Sequence, residues 1–290
     1  HEHLLGRADL KAGDRARAQR ALAQDFMKAG LFDRAEAAWQ ALEETPFDGE
    51  ARLALLSLYE RSRDWPRAAD VARYLETQGG GSFASRIAHY ECELAEAADA
   101  RGDTAGAEAA LERARAAAPQ APRPQLLAGQ RLVRMDDPAG ALKAWDRLRE
   151  HNPASFLLVA GDYAKAALAA GTQAAAHAAL LQTLEQLPAI ELLQALDLLE
   201  GPEGPGRMAR LLAHLQQHPS LTAAQQLLMQ PPETWPPGAL EALRRAVARS
   251  VAPLSRYRCA ACGFEAHHYF WQCPGCLSWD SYPPQRIDAL

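Results

Sequence analysis

Long hydrophobic runs are missing from this sequence of 290 residues. No stretch of about 18 apolar residues occurs, so no segment is predicted to span a membrane, and no secretory signal peptide is visible. Net positive charge is also lacking. The formal net charge of −5 at pH 7 argues against a general nucleic-acid binder, which needs a cationic surface to displace counterions from phosphates. No serine–histidine–aspartate set or pair of carboxylates stands out, so the sequence predicts no enzyme.

Cysteine is scarce, and its placement is uneven. The chain has five cysteines, of which four lie near the C-terminus and Cys92 stands alone. A secreted domain of this size would more often spread its cysteines through a disulfide framework, so the pattern indicates a metal site in a reducing compartment. Cys92 lies in an apolar helix predicted over residues 85–100 and is expected to be a buried structural thiol. Four histidines without partners at ligand spacing are predicted to be surface or packing residues: His89, His177, His214 and His218.

Alanine, by contrast, is abundant and makes up much of the 48% hydrophobic content. Because alanine loses no side-chain entropy in a helix and lets helices approach closely, the composition predicts an all-α fold. An internal repeat of about 34 residues supports it. In each copy a turn residue is followed five positions later by an alanine. The aligned alanines are Ala35, Ala68, Ala107, Ala141 and Ala176.

Upstream of each turn lies another apolar helix, and in four of the five copies its middle marker is small: Ala23, Ala95, Gly129 and Ala164. Small residues at this position let the two helices of a hairpin touch. The period and the markers resemble the tetratricopeptide repeat, with five copies between about residues 11 and 188. The resemblance implies an α/α solenoid, a superhelix of hairpins; an irregular alanine-rich bundle is the alternative.

After residue 188 the repeat pattern weakens. A sixth, diverged hairpin is predicted over residues 190–199 and 207–217, followed by a short helix at 221–229. An amphipathic helix at 238–251 is expected to join the array to the C-terminal segment. The residues on its apolar face are Leu240, Leu243, Val247 and Val251. The sequence thus predicts an array over 1–252 and a metal-binding domain over 253–290.

The C-terminal segment contains two Cys-x-x-Cys pairs: Cys259, Cys262, Cys273 and Cys276. Two such pairs facing each other form the tetrahedral four-sulfur site that zinc or iron prefers. Zinc is the expected metal, one ion per chain, and iron is the alternative. A redox role for one pair and a histidine ligand, His267 or His268, are further alternatives. Four thiolates complete the shell, which favours a structural site.

The two pairs differ in the residue that follows the second cysteine. Each Cys-x-x-Cys pair is expected to form a tight turn, here called a knuckle. Gly263 eases the turn of the first knuckle. Leu277 does not do so at the second, which must therefore close without a glycine. The second pair, with Pro274 and Gly275 between its cysteines, has the rubredoxin-like form. A miniature core is predicted from Phe264, Phe270, Trp271 and Trp279. Because these aromatic residues and Tyr282 exceed what so small a unit can hide, we expect the unit to dock on the array.

A solenoid offers a concave groove lined by the first helix of each hairpin. When the repeat positions are carried along the chain, the side chains expected to line this groove form a mildly basic column. Such a surface suits an acidic or helical peptide segment. A solvated face is the alternative interpretation. The candidate groove residues are Lys28, Arg61, Gln130, Arg134 and Lys165, beside Gln24, Ser57 and Glu96.

Several segments resemble the lipopolysaccharide assembly protein B family of Gram-negative bacteria: residues 24–36, 87–95, 257–264 and 271–276, Trp279 and the closing residues 286–290. The resemblance extends over essentially the whole chain. It implies an adaptor anchored in the inner membrane by a single N-terminal helix that this sequence lacks, with the array and metal unit on the cytoplasmic side.

The family resemblance also implies partners. It implies that the adaptor promotes degradation of the lipid A pathway deacetylase LpxC by the protease FtsH. It also implies that a second inner-membrane protein antagonises the adaptor. A homo-oligomer is compatible with the resemblance. The alternatives are a redox or metal-sensing protein using the four cysteines, and a general peptide-binding scaffold for envelope assembly.

Overall fold

The fold was analysed in a computed structural model that describes residue 5 and residues 9–201, 204 and 206–287. It is all-α: an array of tetratricopeptide-type helical hairpins precedes a small four-cysteine unit. The chain divides into two compact units, His1–Asn152 and Pro153–Leu290. The domains predicted over 1–252 and 253–290 stay a prediction; residues 1–4, 6–8 and 288–290, at their outer ends, lie outside the described residues.

The first unit contains four helical hairpins. In each of them the first helix packs on the helix that follows it, α1 on α2, α3 on α4, α5 on α6 and α7 on α8. The helices are α1 (Ala12–Lys28), α2 (Phe32–Gln40), α3 (Asp48–Ser62), α4 (Trp65–Thr77), α5 (Ala84–Ala100), α6 (Thr104–Ala117), α7 (Pro122–Arg134) and α8 (Pro138–His151).

The second unit contains the fifth repeat, the predicted diverged hairpin, the predicted short helix and the four-cysteine unit. Its helices are α9 (Pro153–Phe156), α10 (Ala160–Ala169), α11 (Gln173–Gln186), α12 (Ile190–Glu200), α13 (Arg207–Gln217), α14 (Leu221–Leu228) and α15 (Ala239–Leu254), with short 3-10 turns at Leu157–Val159 and Pro232–Thr234. Two short strands follow, β1 (Tyr257–Arg258) and β2 (Glu265–Ala266). Among the described residues no helix is long and apolar enough to cross a membrane.

The turn of every repeat has the same backbone geometry. The residue five positions before each aligned alanine has a positive φ, between 57° and 75°. The amide of the next residue then donates to the carbonyl five residues back, as from Leu31 to Phe26 and from Asp137 to Leu132. This arrangement is a Schellman motif, which satisfies carbonyls that the helix end leaves free. The five turn residues are Gly30, Arg63, Gly102, Asp136 and Gly171.

Aspartates cap the second helix of three repeats. Asp103 accepts a hydrogen bond from the amide of Gly106, and Asp137 accepts one from the amide of Gly140, both at 2.8 Å. Asp64 caps α4 in the same way. A Cβ atom added to Gly140 would lie 2.2 Å from Asp137 Oδ2, and one added to Gly106 would lie 2.0 Å from Asp103 Oδ2. At these two caps, glycine leaves the space that the aspartate side chain occupies.

The five aligned alanines are the residues that bring the two helices of each hairpin together. All five are at most 2% exposed, which confirms their predicted role. The small markers of the first helices face them: Ala23, Ala95 and Ala164 are buried as well. At Gly129 the contact is closest, because the indole of Trp145 lies against its Cα; a Cβ there would be 2.1 Å from Trp145 Nε1.

The helix α15 buries a different side from the one predicted. Its core-facing residues are Ala239, Ala242 and Ala246, whereas Leu240 and Val247 are 52% and 42% exposed. Of the predicted apolar face, Leu243 packs against the core, whereas Leu240, Val247 and Val251 are exposed. Alanines bury instead because only a small side chain lets α15 approach α13 and α14 closely.

We predict that Gly129→Ala lowers the free energy of unfolding by about 2 kcal/mol, since the added methyl group overlaps the buried Trp145 ring. In an ordinary helix position the same change is stabilising, because it restricts the unfolded chain. Gly49→Ala in α3 provides the control: nothing lies within 4 Å of its added Cβ. We expect Gly49→Ala to be neutral or stabilising by about 0.5 kcal/mol. Urea unfolding followed by circular dichroism tests both, and equal effects of the two substitutions would contradict the close contact.

Candidate metal centre

The four-cysteine unit is built on a short antiparallel hairpin. Strands β1 and β2 pair with Tyr257 opposite Ala266 and Arg258 opposite Glu265. A second, isolated bridge joins Gln272 to Trp279. Each pairing closes one knuckle, so each Cys-x-x-Cys pair sits at the tip of a two-stranded turn. The local framework therefore presents two pairs of sulfur atoms to one point.

The two knuckles close with the same hydrogen bonds. In the first, the amide of Gly263 donates to the carbonyl of Cys259 at 2.9 Å. In the second, the amide of Leu277 donates to the carbonyl of Cys273 at 2.8 Å. Leu277 accordingly adopts a φ of 62°, close to the 77° of Gly263. The second knuckle closes without a glycine because a leucine takes the left-handed conformation, at a cost of about 1 kcal/mol.

The sulfur atoms of the four cysteines form one cluster within 4.8 Å. The closest pairs join the two knuckles: Cys259 Sγ lies 3.8 Å from Cys276 Sγ, and Cys262 Sγ lies 3.7 Å from Cys273 Sγ. A tetrahedral shell with Zn–S bonds of about 2.3 Å has sulfur–sulfur separations of about 3.8 Å, whereas a disulfide measures about 2.05 Å. The spacing therefore fits a single tetrahedral metal ion.

Histidine does not enter the cluster. His267 and His268 are exposed, and within the described ranges the cluster contains the four cysteines alone. Four thiolates satisfy the coordination preference of zinc and equally that of rubredoxin-type iron. The arrangement can hold one metal ion. Because cysteine sulfurs take all four coordination positions, none remains at which water or substrate would bind.

Two serines that the sequence analysis did not select lie beside the sulfurs. Ser281 Oγ is 3.2 Å from Cys259 Sγ, and Ser278 Oγ is 3.3 Å from Cys276 Sγ. The hydrogen bond with Ser281 lowers the pKa of Cys259 to about 6, and the one with Ser278 lowers the pKa of Cys276. Hydroxyl groups next to thiolates stabilise the charged form that a metal requires. The position of Ser278, two residues after a cysteine ligand, is the signal that could have identified it.

The interior of the unit is formed by tyrosine, contrary to the prediction. Tyr282 is 2% exposed, and its hydroxyl donates to the carbonyl of Phe264 at 3.3 Å. Tyr257 and Tyr269 pack around it and around Cys259 and Cys273. The predicted core residues are exposed instead: Phe264 43%, Phe270 37%, Trp271 67% and Trp279 68%.

The cause of this error is the size of the unit. The sulfur atoms and one phenol ring occupy the interior, which leaves no volume for two indoles. Phe264 retains one packing contact, because Gly275 lies so close that an added Cβ would be 3.2 Å from Phe264 Cβ. Docking of the unit on the array stays a prediction.

Two arginines of the unit share one carboxylate. Arg258 Nη2 lies 2.8 Å from Glu265 Oε1, and Arg256 Nη1 lies 3.7 Å from Glu265 Oε2. Arg286 lies over the ring of Tyr257.

The other predicted sites are distributed over the first helices. Lys28, Arg61, Arg134 and Lys165 are exposed, and Gln130 is half-buried. Arg134 pairs with Asp99 at 2.9 Å and Lys165 with Asp162 at 3.1 Å. In the part of the chain that the structure describes, Lys28 and Arg61 have no ion-pair partner. The predicted column is therefore less basic than the residue types suggest.

The isolated thiol and the histidines have varied surroundings. Cys92 is fully buried, as predicted, and burial raises its pKa to about 11. His89 is exposed. His177 Nε2 lies 2.7 Å from Glu200 Oε1. His214 is buried beside the exposed ring of His218. Cys92 and these histidines are all far from the four clustered cysteines along the sequence.

Comparisons with known proteins extend the analysis beyond the cysteines. The sequence profile of a family described as "Rubredoxin metal binding domain" matches residues 257–283. Lipopolysaccharide assembly protein B of Escherichia coli K12 is 30% identical over 303 aligned residues, covering 100% of this chain and 77% of that protein. The protein of the same name from Haemophilus influenzae is 25% identical, covering 92% of this chain and 69% of its own length.

A comparison with solved structures was also made. A tetratricopeptide repeat protein from Parabacteroides merdae is 14% identical, with a TM-score of 0.37, and covers 81% of this chain and 86% of that chain.

We predict that Ser281→Ala lowers zinc affinity about tenfold, because it removes a hydroxyl group from beside the Cys259 thiolate. Competition with a chromogenic chelator measures the change. Ser255→Ala is the control, since Ser255 directly follows α15, bonds to the Val251 carbonyl and does not contact a sulfur. Equal zinc affinities for the two variants would show that Ser281 does not support the site.

The metal itself is testable by its colour. The chain purified without added metal is expected to contain one zinc ion and to be colourless, because zinc has no d–d transitions and matches the four-thiolate shell. Elemental analysis and a visible spectrum measure this. A red protein that bleaches reversibly on reduction would instead identify iron and an electron-transfer role.

Proposed function

The chain belongs to the lipopolysaccharide assembly protein B family, and we propose that it acts as a non-enzymatic adaptor in lipopolysaccharide assembly. The observation that carries the proposal is the match to the Escherichia coli relative, which runs through both the array and the four-cysteine unit. An adaptor works by holding one protein in reach of another. Helical hairpin arrays are suited to this task because stacked repeats present an extended binding surface.

The surface proposed for a partner lies on the first helices of the first two repeats. Lys28 and Arg61 are exposed there, at the C-terminal ends of α1 and α3. Two other cations on first helices are already engaged: Arg20 pairs with Glu50 at 2.7 Å, and Arg123 pairs with Glu93 at 2.6 Å. An unpaired cation can bind an acidic segment without first giving up an ion pair, so Lys28 and Arg61 are the proposed contacts.

The metal unit supports the adaptor proposal by its coordination. Catalytic zinc sites keep one position for water, whereas four cysteine ligands close the shell. A small unit with so little apolar interior depends on the metal for its fold. In this proposal the metal ion stabilises the C-terminal end of the adaptor and takes no part in a reaction.

The proposal includes named partners, which are supported by the family resemblance. The protein presented is the deacetylase LpxC of the lipid A pathway, the protease that degrades it is FtsH, and an inner-membrane protein opposes the process. The adaptor acts at the cytoplasmic face of the inner membrane, where the full-length protein is anchored.

A reconstituted degradation assay tests this function. Purified LpxC is incubated with FtsH and ATP, with and without the full-length adaptor, and remaining LpxC is followed over time. We expect faster loss of LpxC when the adaptor is present. The double substitution Lys28→Glu/Arg61→Glu should reduce this stimulation at least fivefold, because it replaces two free cations with anions.

The control for the charge reversal is Lys143→Glu. Lys143 is exposed on α8, the second helix of its hairpin, and has no ion-pair partner among the described residues. Its substitution should leave LpxC turnover unchanged. An adaptor that does not alter turnover at all would refute the function, whereas full activity of Lys28→Glu/Arg61→Glu would refute only the proposed surface.

A further inference from the structure

A polar cavity of about 480 Å³ lies in the second unit, between four helices. The starts of α12 and α14, the end of α13 and the side of α15 contribute to its wall. Its chemistry-bearing residues are Glu191, His214, His218, Ser220 and Arg249. The cavity contains none of the groove residues and none of the cysteines, so neither the repeat pattern nor the metal unit accounts for it.

His214 is the unusual group of this cavity. This residue is only 9% exposed, yet its imidazole makes no hydrogen bond with the described part of the chain. Its ring lies beside that of His218, four residues later, at a centroid separation of 5.5 Å. The imidazole lines the cavity, where its nitrogens can bond to a molecule that enters. A ligand in the cavity would supply the missing partner.

Several groups favour a negatively charged ligand. The first-turn amides of a helix lack intrahelical partners and carry partial positive charge. Two such helix starts face the cavity, and the first, α12, begins after Ala189, which cannot cap it. At α14, Ser220 Oγ accepts from the amide of Ala223, which leaves its own proton available for donation. Arg249 adds a full positive charge and has no ion-pair partner among the described residues.

A metal ion is a poorer fit to the same cavity. His214 lies in the last turn of α13, His218 directly follows that helix, and Glu191 lies nearby. However, within the described residues no ligand atoms outside the four cysteines come within 4.8 Å of one another as a set of three. Arg249 would also repel a cation.

Glu191 restricts the kind of anion. Its carboxylate lies in the first turn of α12 and lines the cavity. A dianionic phosphate group would be repelled by Glu191 more strongly than a singly charged carboxylate, which needs only Arg249 and hydrogen-bond donors. We propose that this cavity binds a carboxylate group, with Arg249, His214, Ser220 and the first amides of α12 and α14 as its partners.

Binding should strengthen as the pH falls. Burial, and secondarily the charge of His218, lowers the pKa of His214, and Glu191 partly offsets this effect. His214 is thus neutral at neutral pH and acts as an N–H donor. At lower pH it becomes cationic beside an anion, so the carboxylate binds more tightly and in turn raises the pKa of His214. The other charged groups facing it, Glu191, His218 and Arg249, are those already named.

The test uses the full chain labelled with ¹³C-histidine and titrated with sodium acetate against sodium chloride at equal ionic strength. We expect acetate to shift the ring signals of His214 and His218, among the nine histidines, with tighter binding at pH 6.0 than at pH 7.5. His214→Gln and His218→Gln assign the two signals. Arg249→Gln should weaken binding about tenfold, the effect of losing one charged hydrogen bond.

Arg244→Gln is the matched control, since Arg244 is an exposed arginine of the same helix that does not line the cavity. It should bind acetate like the unaltered chain. Absence of any shift at His214, or equal weakening in the two arginine variants, would overturn the proposal. Tighter binding of inorganic phosphate than of acetate would overturn the assignment to carboxylates.

A second arm distinguishes the source of the carboxylate. An acetylated, amidated peptide of alternating aspartate and glycine is titrated beside acetate. A peptide that binds more tightly than acetate, with the same dependence on Arg249, supports a protein partner as the source. Equal affinity per carboxylate supports a free small molecule.

Discussion

The close approach of two helices at one alanine is the constraint on which the array depends. It works only because the preceding turn reverses the chain in five residues, through a left-handed residue and the hydrogen bond that follows it. A larger side chain at Ala35 or Ala141 would separate the hairpin, and a right-handed residue at Gly30 or Asp136 would misdirect the second helix. The exposed charges of each repeat are not subject to this constraint.

This constraint explains how much of the fold could be predicted from the sequence. Turn and alanine lie at a fixed spacing, so the period identified all five repeats, and the cysteine spacing identified the metal cluster. The side chains around these fixed points were less predictable. Trp271 and Trp279 are large and apolar, yet they are exposed because the sulfurs and Tyr282 already fill the interior. In α15 the alanines, rather than Leu240 and Val247, face the core.

Contacts between residues far apart in the chain could not be predicted from the linear pattern of the sequence. Ser281 lies beside Cys259 only after the second knuckle has folded back on the first. His214 and Arg249 are 35 positions apart in number and meet only because α13 and α15 pack together. Such proximity follows from tertiary packing, which neither spacing nor composition encodes.

The aspartate caps of the third and fourth repeats bear on how this sequence can diverge. Asp137 occupies the space where a side chain at position 140 would begin, and Asp103 does the same at position 106. Each aspartate and the glycine three residues later are therefore coupled in evolution: replacing the glycine displaces the aspartate side chain, and replacing the aspartate removes a cap. The other three repeats lack this coupling, because Asp64 caps its helix beside Arg67, and Leu31 and Thr172 precede their helices without a side-chain cap.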